Sequence, residues 1–433
     1  YYTDRPTAVA GVRASRRRPH AALRRRPGAA LPPAAAAATL RSDSPLARVM
    51  IRASQAPAPS APEPDPATAA PVSNAGSPGP QAGTGGDVRL GSLLSWLLGL
   101  AERHGLELDT IRPASNDASF RRYFRIDTRD AGRSLIAMDA PPPQEDCRPF
   151  VHAASVLRDA GLRVPAVHEA DLERGFLLLG DLGTRTLLDR LGEKPGDSEI
   201  DRLYRAAGQL LVTMQAASRP GLFPDYDRAL LERELMLYPD WYLARHRRLE
   251  ASDEDRNTLH GAFELLLANN LAQPRVHVHR DYHSRNLMVD DAVHEHGLGL
   301  IDFQDAVYGP ITYDLVSLLR DAYVAWPEER QLDWAVRWWE SARARSLPVA
   351  ADFGDFWRDF EWMGLQRHLK VLGIFARLYY RDGKDRYLAD MPRVLAAAQA
   401  VARRYRDLAP LARLLDRVEA GADERGGQAG HRR

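Results

Sequence analysis

Two side chains in the second half of the chain have the types and spacing that suit phosphate chemistry. The aspartate of His279-Arg280-Asp281 precedes Asn286 by five positions, which fits the pattern H-R-D-x-x-x-x-N. A carboxylate at the first position can accept the proton of an attacking hydroxyl, and an amide at the second can face a metal ion on nucleotide phosphates. The spacing therefore predicts phosphoryl transfer, with Asp281 as the proton acceptor.

A second acidic residue, Asp302, is predicted to reach the same place. The sequence predicts a strand at Leu287–Val289, a turn at 290–297 and a returning strand at Leu298–Phe303. This hairpin would bring Asp302 beside Asn286, and a carboxylate next to an amide provides the hard oxygen ligands that Mg²⁺ prefers. A less favoured alternative is a transition-metal site formed by three nearby histidines, His277, His279 and His283.

The elements that must position these residues fall into two groups. Leucines between positions 90 and 100 have helical spacing, and apolar strand patterns follow at Phe120–Ile126, Ser134–Met138 and Phe176–Leu179. From Asp197 onward, long helical patterns dominate. The sequence predicts an α+β fold with a small antiparallel-sheet lobe, a larger mostly helical lobe and a flexible tail, at residues 86–180, 181–420 and 421–433.

The first 85 residues are rich in Ala, Pro, Arg, Ser and Gly. We predict that this segment is disordered, because it buries too little apolar surface to offset its ordering entropy. Eleven Arg against four acidic residues give it a charge of +7 (11 − 4). Its arginine clusters could contact nucleic acid or anionic lipid. A solvated tail, or sequence upstream of a later start such as Met50, is the favoured interpretation.

The overall composition is ordinary for a globular protein, with 45% hydrophobic and 27% charged residues. Lys and Arg together number 59 and Asp and Glu 58, so the net charge predicts no polyanionic partner. The single cysteine, Cys147, excludes an intramolecular disulfide and a cysteine-based zinc site, and favours a cytoplasmic protein. No apolar run approaches the roughly 20 residues of a membrane span, so no membrane partner is predicted.

Together with Asp314, these motifs resemble the protein-kinase-like phosphotransferase superfamily, which contains the aminoglycoside phosphotransferases. The resemblance implies a kinase-like bilobal fold, with ATP as phosphoryl donor, Asp281 as catalytic base and Mg²⁺ on Asn286 and Asp302. It also implies that His279 and Asp314 support the catalytic loop. No A-P-E motif follows Asp302, so the peptide-docking segment of protein kinases is missing. We therefore expect a small hydroxylated substrate.

The small lobe departs from the protein-kinase pattern. Met138 stands where those kinases place a phosphate-binding Lys, and the chain has no Lys before Lys194. An arginine could substitute, and the candidates are Arg121, Arg122 and Arg125, with Arg122 assigned to the nucleotide. Otherwise Mg²⁺ and backbone groups hold the phosphates. The resemblance implies further nucleotide contacts from a flap loop and an interlobe hinge, namely Ser115, Asn116, Asp117, Ser119, Leu179 and Asp181.

Several stretches resemble one group more closely, the bacterial N-acetylmuramate/N-acetylglucosamine anomeric kinases. These stretches are Asn116–Arg125, Met138–Pro142, Leu178–Gly183, His279–Val289 and Ile301–Pro310. The resemblance implies ATP-dependent phosphorylation of the sugar's carbon-1 hydroxyl in peptidoglycan recycling.

For the sugar itself, the candidate contacts are Arg285, Asp305 and Trp241. An aminoglycoside kinase and a non-catalytic kinase-like binding module remain as alternatives. The first would need several carboxylates around the hydroxyl, and the second would lack nucleotide turnover.

Overall fold

The structure is a computed structural model that describes residues 87–115, 120–289 and 297–430. The smaller lobe is built on a five-stranded antiparallel sheet with the strand order β1-β2-β3-β5-β4. Its strands are β1 (Arg112–Ser115), β2 (Arg122–Asp127), β3 (Ser134–Asp139), β4 (Val167–Asp171) and β5 (Phe176–Gly180). The helices of this lobe are α1 (Val88–His104) and α2 (Arg148–Asp159).

The apolar run of β5 explains how this sheet is covered on both faces. Side chains alternate between the faces along a strand, and all four from Phe176 to Leu179 are buried. Phe176 and Leu178 join the core beneath α1, whereas Leu177 and Leu179 join the large core shared by α2 and the helical lobe. The sheet therefore packs against α1 on one side and faces the main core on the other.

The larger lobe is mostly helical. Its helices are α3 (Leu187–Gly192), α4 (Asp197–Ala216), α5 (Arg228–Leu237), the π-helix Tyr238–His246, α6 (Asp253–Ala272), α7 (Tyr313–Leu319), α8 (Glu328–Ala344), α9 (Phe353–Asp382), the 3₁₀ helix Asp385–Asp390, α10 (Met391–Arg404) and α11 (Ala409–Gly430). Two antiparallel strand pairs are β6 (Arg275–Val278) with β9 (Val307–Pro310) and β7 (Leu287–Val289) with β8 (Leu298–Leu300). These pairs frame the loops that carry the predicted chemistry.

The predicted α+β, two-lobed architecture is confirmed. The sequence analysis missed β9, because Gly309-Pro310 reads as a turn, although pairing with β6 makes it a strand. Helix α11 continues to Gly430, past the expected end at residue 420. The segment predicted to be disordered lies outside the described residues. No helix in the described part of the chain is long and apolar enough to cross a membrane.

Gly373 provides a test of the packing in the larger lobe. It lies where α9 meets the end of α5, and a Cβ atom there would approach the carbonyl carbon and oxygen of Leu237 to 2.4 Å. We expect Gly373→Ala to destabilise the protein by about 1–3 kcal/mol, the usual cost of overpacking. The same substitution at Gly99, on the exposed face of α1 with open space around it, should stabilise by about 0.5–1 kcal/mol. Opposite shifts in Tm are expected, and a Gly373→Ala protein as stable as wild type would contradict the packing.

Candidate active site

The predicted catalytic residues lie in the loop between β6 and β7. The Asn286 Nδ2 donates to the carbonyl oxygen of Asp281 at 2.9 Å, and the Asn286 backbone N–H donates to the carbonyl of His283 at 2.9 Å. These bonds fold the loop back on itself and fix Asp281 relative to Asn286. With a spacing of five residues, the side-chain amide of Asn286 can close the loop by bonding the backbone of Asp281. The carboxylate of Asp281 takes no part in this bond.

The β7–β8 hairpin brings Asp302 beside Asn286, as the sequence predicts. The Ile301 N–H donates to the Asn286 carbonyl at 3.1 Å, and Asn286 Nδ2 lies 3.4 Å from Asp302 Oδ2. Asp302 has a φ of 64°, a left-handed conformation that costs a non-glycine residue about 1–3 kcal/mol and is maintained by surrounding structure. The carboxylate of Asp302 and the Oδ1 of Asn286 form a donor set that fits Mg²⁺.

His277 and His279 have structural roles, and the described residues contain no His/Cys/Asp/Glu cluster of three that could hold a metal. His279 Nε2 donates to the carbonyl of Ile301 at 3.0 Å, and its Nδ1 accepts from the Asp281 N–H at 3.2 Å. Burial lowers the pKa of His279 to about 4, so the ring is neutral. His277 accepts the Arg219 N–H at 3.1 Å. The transition-metal alternative therefore has no support.

Asp314, at the start of α7, holds the beginning of the catalytic loop. Its Oδ2 accepts the His279 N–H at 2.6 Å and its Oδ1 accepts the Arg280 N–H at 3.0 Å. Arg280 has a φ of 76°, so these two bonds keep a strained residue in place directly before Asp281. Burial raises the pKa of Asp314 to about 7, although both N–H bonds favour its charged form.

A buried cluster of charged side chains lies behind the loop. Glu234, on α5, forms ion pairs with Arg280 Nη2 at 2.6 Å and with Lys370 Nζ, on α9, at 2.8 Å. Lys370 Nζ and Arg367 Nη1 donate to the Tyr313 hydroxyl at 2.8 and 3.1 Å. Arg367 Nη1 also donates to the Arg280 carbonyl at 2.9 Å. The cluster thus connects two helices of the larger lobe to the catalytic loop.

This cluster sets the electrostatics of Asp281. Burial alone raises the pKa of the Asp281 carboxyl, but the charges of Lys370 and Arg367 outweigh it and lower the pKa to about 2. Arg367 Nη2 lies 3.9 Å from Asp281 Oδ1, and 44% of the Asp281 side chain is still reached by solvent. Asp281 is therefore an ionised carboxylate that a substrate can reach.

In the smaller lobe, Arg121 is the arginine that faces these acidic residues. It forms an ion pair with Glu145 at 2.8 Å, and both side chains are largely buried. Burial opposes the charge of Arg121, yet its pKa is raised because Tyr123, Glu145, Asp302 and Asp305 surround it. The charge of the predicted metal ligand Asp302 therefore acts on Arg121.

The prediction that Arg122 binds the nucleotide is not supported by its contacts. Its guanidinium forms ion pairs with Asp139, at the end of β3, at 2.6 Å and with Asp87, the N-cap of α1. Asp139 is fully buried, so Arg122 stabilises a carboxylate inside the lobe. The reason is the register of β2 and β3, in which Arg122 pairs with Asp139.

The other predicted nucleotide contacts belong to the hinge and the flap loop, and their surroundings differ. Asp181 accepts Arg125 Nε at 2.5 Å and the Ser134 hydroxyl at 2.6 Å, so its side chain joins the segment after β5 to β2 and β3. Leu179 is buried within β5, between β3 and β4. Ser115 ends β1, and the other flap residues, Asn116, Asp117 and Ser119, lie outside the described residues.

The three predicted sugar contacts lie in different environments. Arg285 stacks on Tyr323, with its Cζ 3.8 Å from the ring centroid. Asp305 is exposed, and its charge acts on Arg121. Trp241 lies in the π-helix and packs against the main core, so part of its side chain is used in helix packing. A cavity of about 260 Å³ lined by Arg320, His368 and Arg404 involves none of the predicted site residues.

Residues 110–353, which include every catalytic and metal-binding candidate, match the phosphotransferase enzyme family. The chain belongs to this family. The phosphotransferase is 49% identical to an N-acetylmuramate/N-acetylglucosamine kinase of Pseudomonas aeruginosa, covering 72% of the chain and 89% of that protein. It is 47% identical to an N-acetylmuramate/N-acetylglucosamine kinase of Neisseria meningitidis serogroup B, covering 72% and 90%.

Solved structures of other proteins resemble the fold of the phosphotransferase. Choline kinase LicA from Streptococcus pneumoniae has a TM-score of 0.50 at 13% identity, covering 71% of the chain and 98% of that protein. A GDP complex of an aminoglycoside 2′-phosphotransferase has a TM-score of 0.50 at 14% identity, covering 70% and 97%. At these identities the likeness shows the kinase-like fold alone.

Sequence reasoning missed the members of the charged cluster, Glu234, Arg367 and Lys370. One signal was present: Lys370 is one of only three lysines in the chain and lies in the long apolar pattern of α9. A lysine in such a place is almost never buried without a partner. The missing partner, Glu234, is far away in sequence, so no spacing rule connects the two.

The support of the catalytic loop can be tested at Asp314. Asp314→Ala leaves two buried backbone N–H groups without acceptors, at about 1–3 kcal/mol each, so Tm and kcat should both fall. Asp314→Asn keeps one side-chain oxygen as an acceptor, so its Tm and kcat should fall less than those of Asp314→Ala. Equal melting temperatures for the two variants would contradict this role.

The same residue should affect stability as a function of pH. Its folded-state pKa of about 7 lies above the unfolded value of about 3.9. The stability that Asp314 contributes by binding a proton is therefore complete below about pH 4 and lost as the pH rises through 7. Asp314→Asn should remove this slope in a pH series of thermal melts.

Proposed function

We propose that this phosphotransferase is an ATP- and Mg²⁺-dependent kinase of the carbon-1 hydroxyl of N-acetylmuramate and N-acetylglucosamine. The observation that carries the proposal is the 49% identity to a kinase of that name over 89% of its length. The convergence of Asp281, Asn286 and Asp302 supports phosphoryl transfer at this position. Its role would be to reuse cell-wall sugars in the cytoplasm, as part of peptidoglycan recycling.

In the proposed mechanism, Asp281 accepts a hydrogen bond from the sugar hydroxyl and aligns it for in-line attack. The pKa of about 2 keeps the carboxylate ionised at every physiological pH. In a loose transition state the hydroxyl proton moves late, so alignment contributes more than basicity. The charges of Lys370 and Arg367 hold the carboxylate in this form and orientation.

The nucleotide would lie between the lobes. Asn286 and Asp302 would hold Mg²⁺, which when bound neutralises charge on the β- and γ-phosphate oxygens. Arg121, kept in place by Glu145, would take the phosphate-binding role that protein kinases give to Lys. The backbone at the end of β5, from Leu179 to Asp181, would bind the adenine, and the loop from Ser115 to Ser119 would cover the phosphates.

An aminoglycoside substrate is the second candidate, and the charges argue against it. A polycationic sugar needs an excess of carboxylates, whereas Arg367 lies 3.9 Å from Asp281 and Arg285 belongs to the same loop. A coupled ATP-consumption assay with N-acetylmuramate, N-acetylglucosamine, glucosamine and kanamycin would decide. Turnover of kanamycin but not of the N-acetylated sugars would reject the proposal, and no turnover of any kind would favour a binding module.

The role of Asp281 predicts a selective loss of kcat. Asp281→Asn keeps the size of the side chain but removes the charged acceptor that aligns the sugar hydroxyl, and loss of such a positioning or electrostatic contact costs about 10²–10³-fold. We expect kcat to fall by this factor while the Kd for ATP changes little. Steady-state kinetics and nucleotide titration measure both, and near-wild-type turnover by the variant would rule out the mechanism.

Substitutions of the two neighbouring arginines, Arg121 and Arg122, should have different effects on KM for ATP and on Tm. Arg121→Gln removes a cation facing Asp302, so KM for ATP should rise by about 10–100-fold, as for loss of a charge-assisted hydrogen bond. Arg122→Gln removes one of the two arginines paired with the buried Asp139 and leaves only Arg89 among the described residues. Tm should therefore fall, while KM for ATP should change much less. The reverse pattern would return the phosphate contact to Arg122.

A further inference from the structure

Arg285 lies over the ring of Tyr323 and near the ring of Tyr387. Its Cζ lies 3.8 Å from the ring centroid of Tyr323, which follows α7, and 6.0 Å from that of Tyr387, in the 3₁₀ helix Asp385–Asp390. Cation–π contact at this distance favours a guanidinium lying over the ring. Stacking leaves the N–H groups at the edge of the guanidinium directed away from the rings. We call Arg285, Tyr323 and Tyr387 the arginine clamp.

The clamp differs from the other arginine sites around the catalytic loop. Arg280 is paired with Glu234, and Arg320, which also lies over aromatic rings, is paired with Glu361. Among the residues that the structure describes, no carboxylate lies within ion-pair distance of Arg285. A planar guanidinium with free edges matches a carboxylate with two parallel hydrogen bonds. The clamp is therefore preorganised for an anion that the protein itself does not provide.

The clamp is also fixed relative to the catalytic carboxylate. Asp321 accepts the Ser284 N–H at 3.0 Å and the Tyr323 N–H at 2.9 Å, so one side chain joins the catalytic loop to the clamp. The charges of Asp281 and Arg285 both act on the Tyr323 phenol. Asp281 and Arg285 lie four residues apart in the same loop, so a ligand whose hydroxyl meets Asp281 can direct an anionic group towards Arg285.

We propose that the arginine clamp recognises the carboxylate of N-acetylmuramate and thereby distinguishes this sugar from N-acetylglucosamine, which has no carboxylate. This inference rests on the proposed function. It assigns Arg285 to one substituent of one substrate. A contact with the transferring phosphoryl group, the other anion in the site, would affect both sugars equally.

The test is the kinetic comparison of the two sugars in Arg285→Gln. We expect KM for N-acetylmuramate to rise by about 10–100-fold, as for a lost charge-assisted pair, and KM for N-acetylglucosamine to change by less than about threefold. Arg285→Lys keeps the charge but lacks the planar guanidinium, so its KM for N-acetylmuramate should lie between those of the wild type and Arg285→Gln. Arg343→Gln is the matched control, because Arg343 also stacks on a ring, that of Trp339, but lies on the exposed face of α8.

The tyrosines provide a second test should Arg285→Gln fold poorly. Tyr323→Phe keeps the ring and should keep the preference between the sugars, whereas Tyr323→Leu removes it and should raise KM for N-acetylmuramate selectively. A fall in kcat that is equal for both sugars would overturn the inference in favour of a phosphoryl contact, and equal changes in both KM values would overturn it too. Failure of the wild-type protein to phosphorylate either sugar would instead refute the proposed function.

Discussion

The burial of Glu234 is the constraint on which the larger lobe depends. This carboxylate is 5% exposed and is paired with Arg280 and Lys370, while Tyr226 donates its hydroxyl to it. Buried ions are stable only when paired and hydrogen-bonded, and removing one partner is far more costly than replacing the whole set. The helices α5 and α9 and the catalytic loop must therefore meet in one arrangement. That arrangement holds Arg280 in its left-handed conformation and presents Asp281 at the surface of the cleft.

The same cluster determines what kind of group Asp281 can be. With Lys370 and Arg367 behind it, its pKa of about 2 lies far below the value that suits a general base at neutral pH. A metaphosphate-like transition state needs little help with the proton of the attacking hydroxyl, and positioning and charge neutralisation supply most of the rate. The cluster thus lowers the basicity of Asp281, which contributes little to this reaction, and keeps its carboxylate charged and fixed in direction.

The sequence predicted the two lobes and the meeting of Asp281, Asn286 and Asp302, because local spacing and one hairpin determine these features. It could not predict the partner of Lys370, since Glu234 is brought there only by the packing of α5 against α9. The contacts of Arg122 could not be predicted for another reason. The partner of a residue in a strand depends on the register of the sheet, and the register here pairs Arg122 with Asp139.

The absence of a small-lobe lysine has a physical consequence for the N-terminal side of the cleft. A lysine on β3 would replace Met138, which is fully buried in the main core and pairs across to Tyr123 and Leu177. The cation of the proposed phosphate contact, Arg121, lies directly before β2 instead, and Glu145 compensates its charge. Arginine suits this position because its long, planar side chain can pair with Glu145 and still direct N–H groups towards a phosphate. Met138 therefore stays in the apolar core shared with the helical lobe, and the proposed phosphate-binding charge is carried by a residue outside β3.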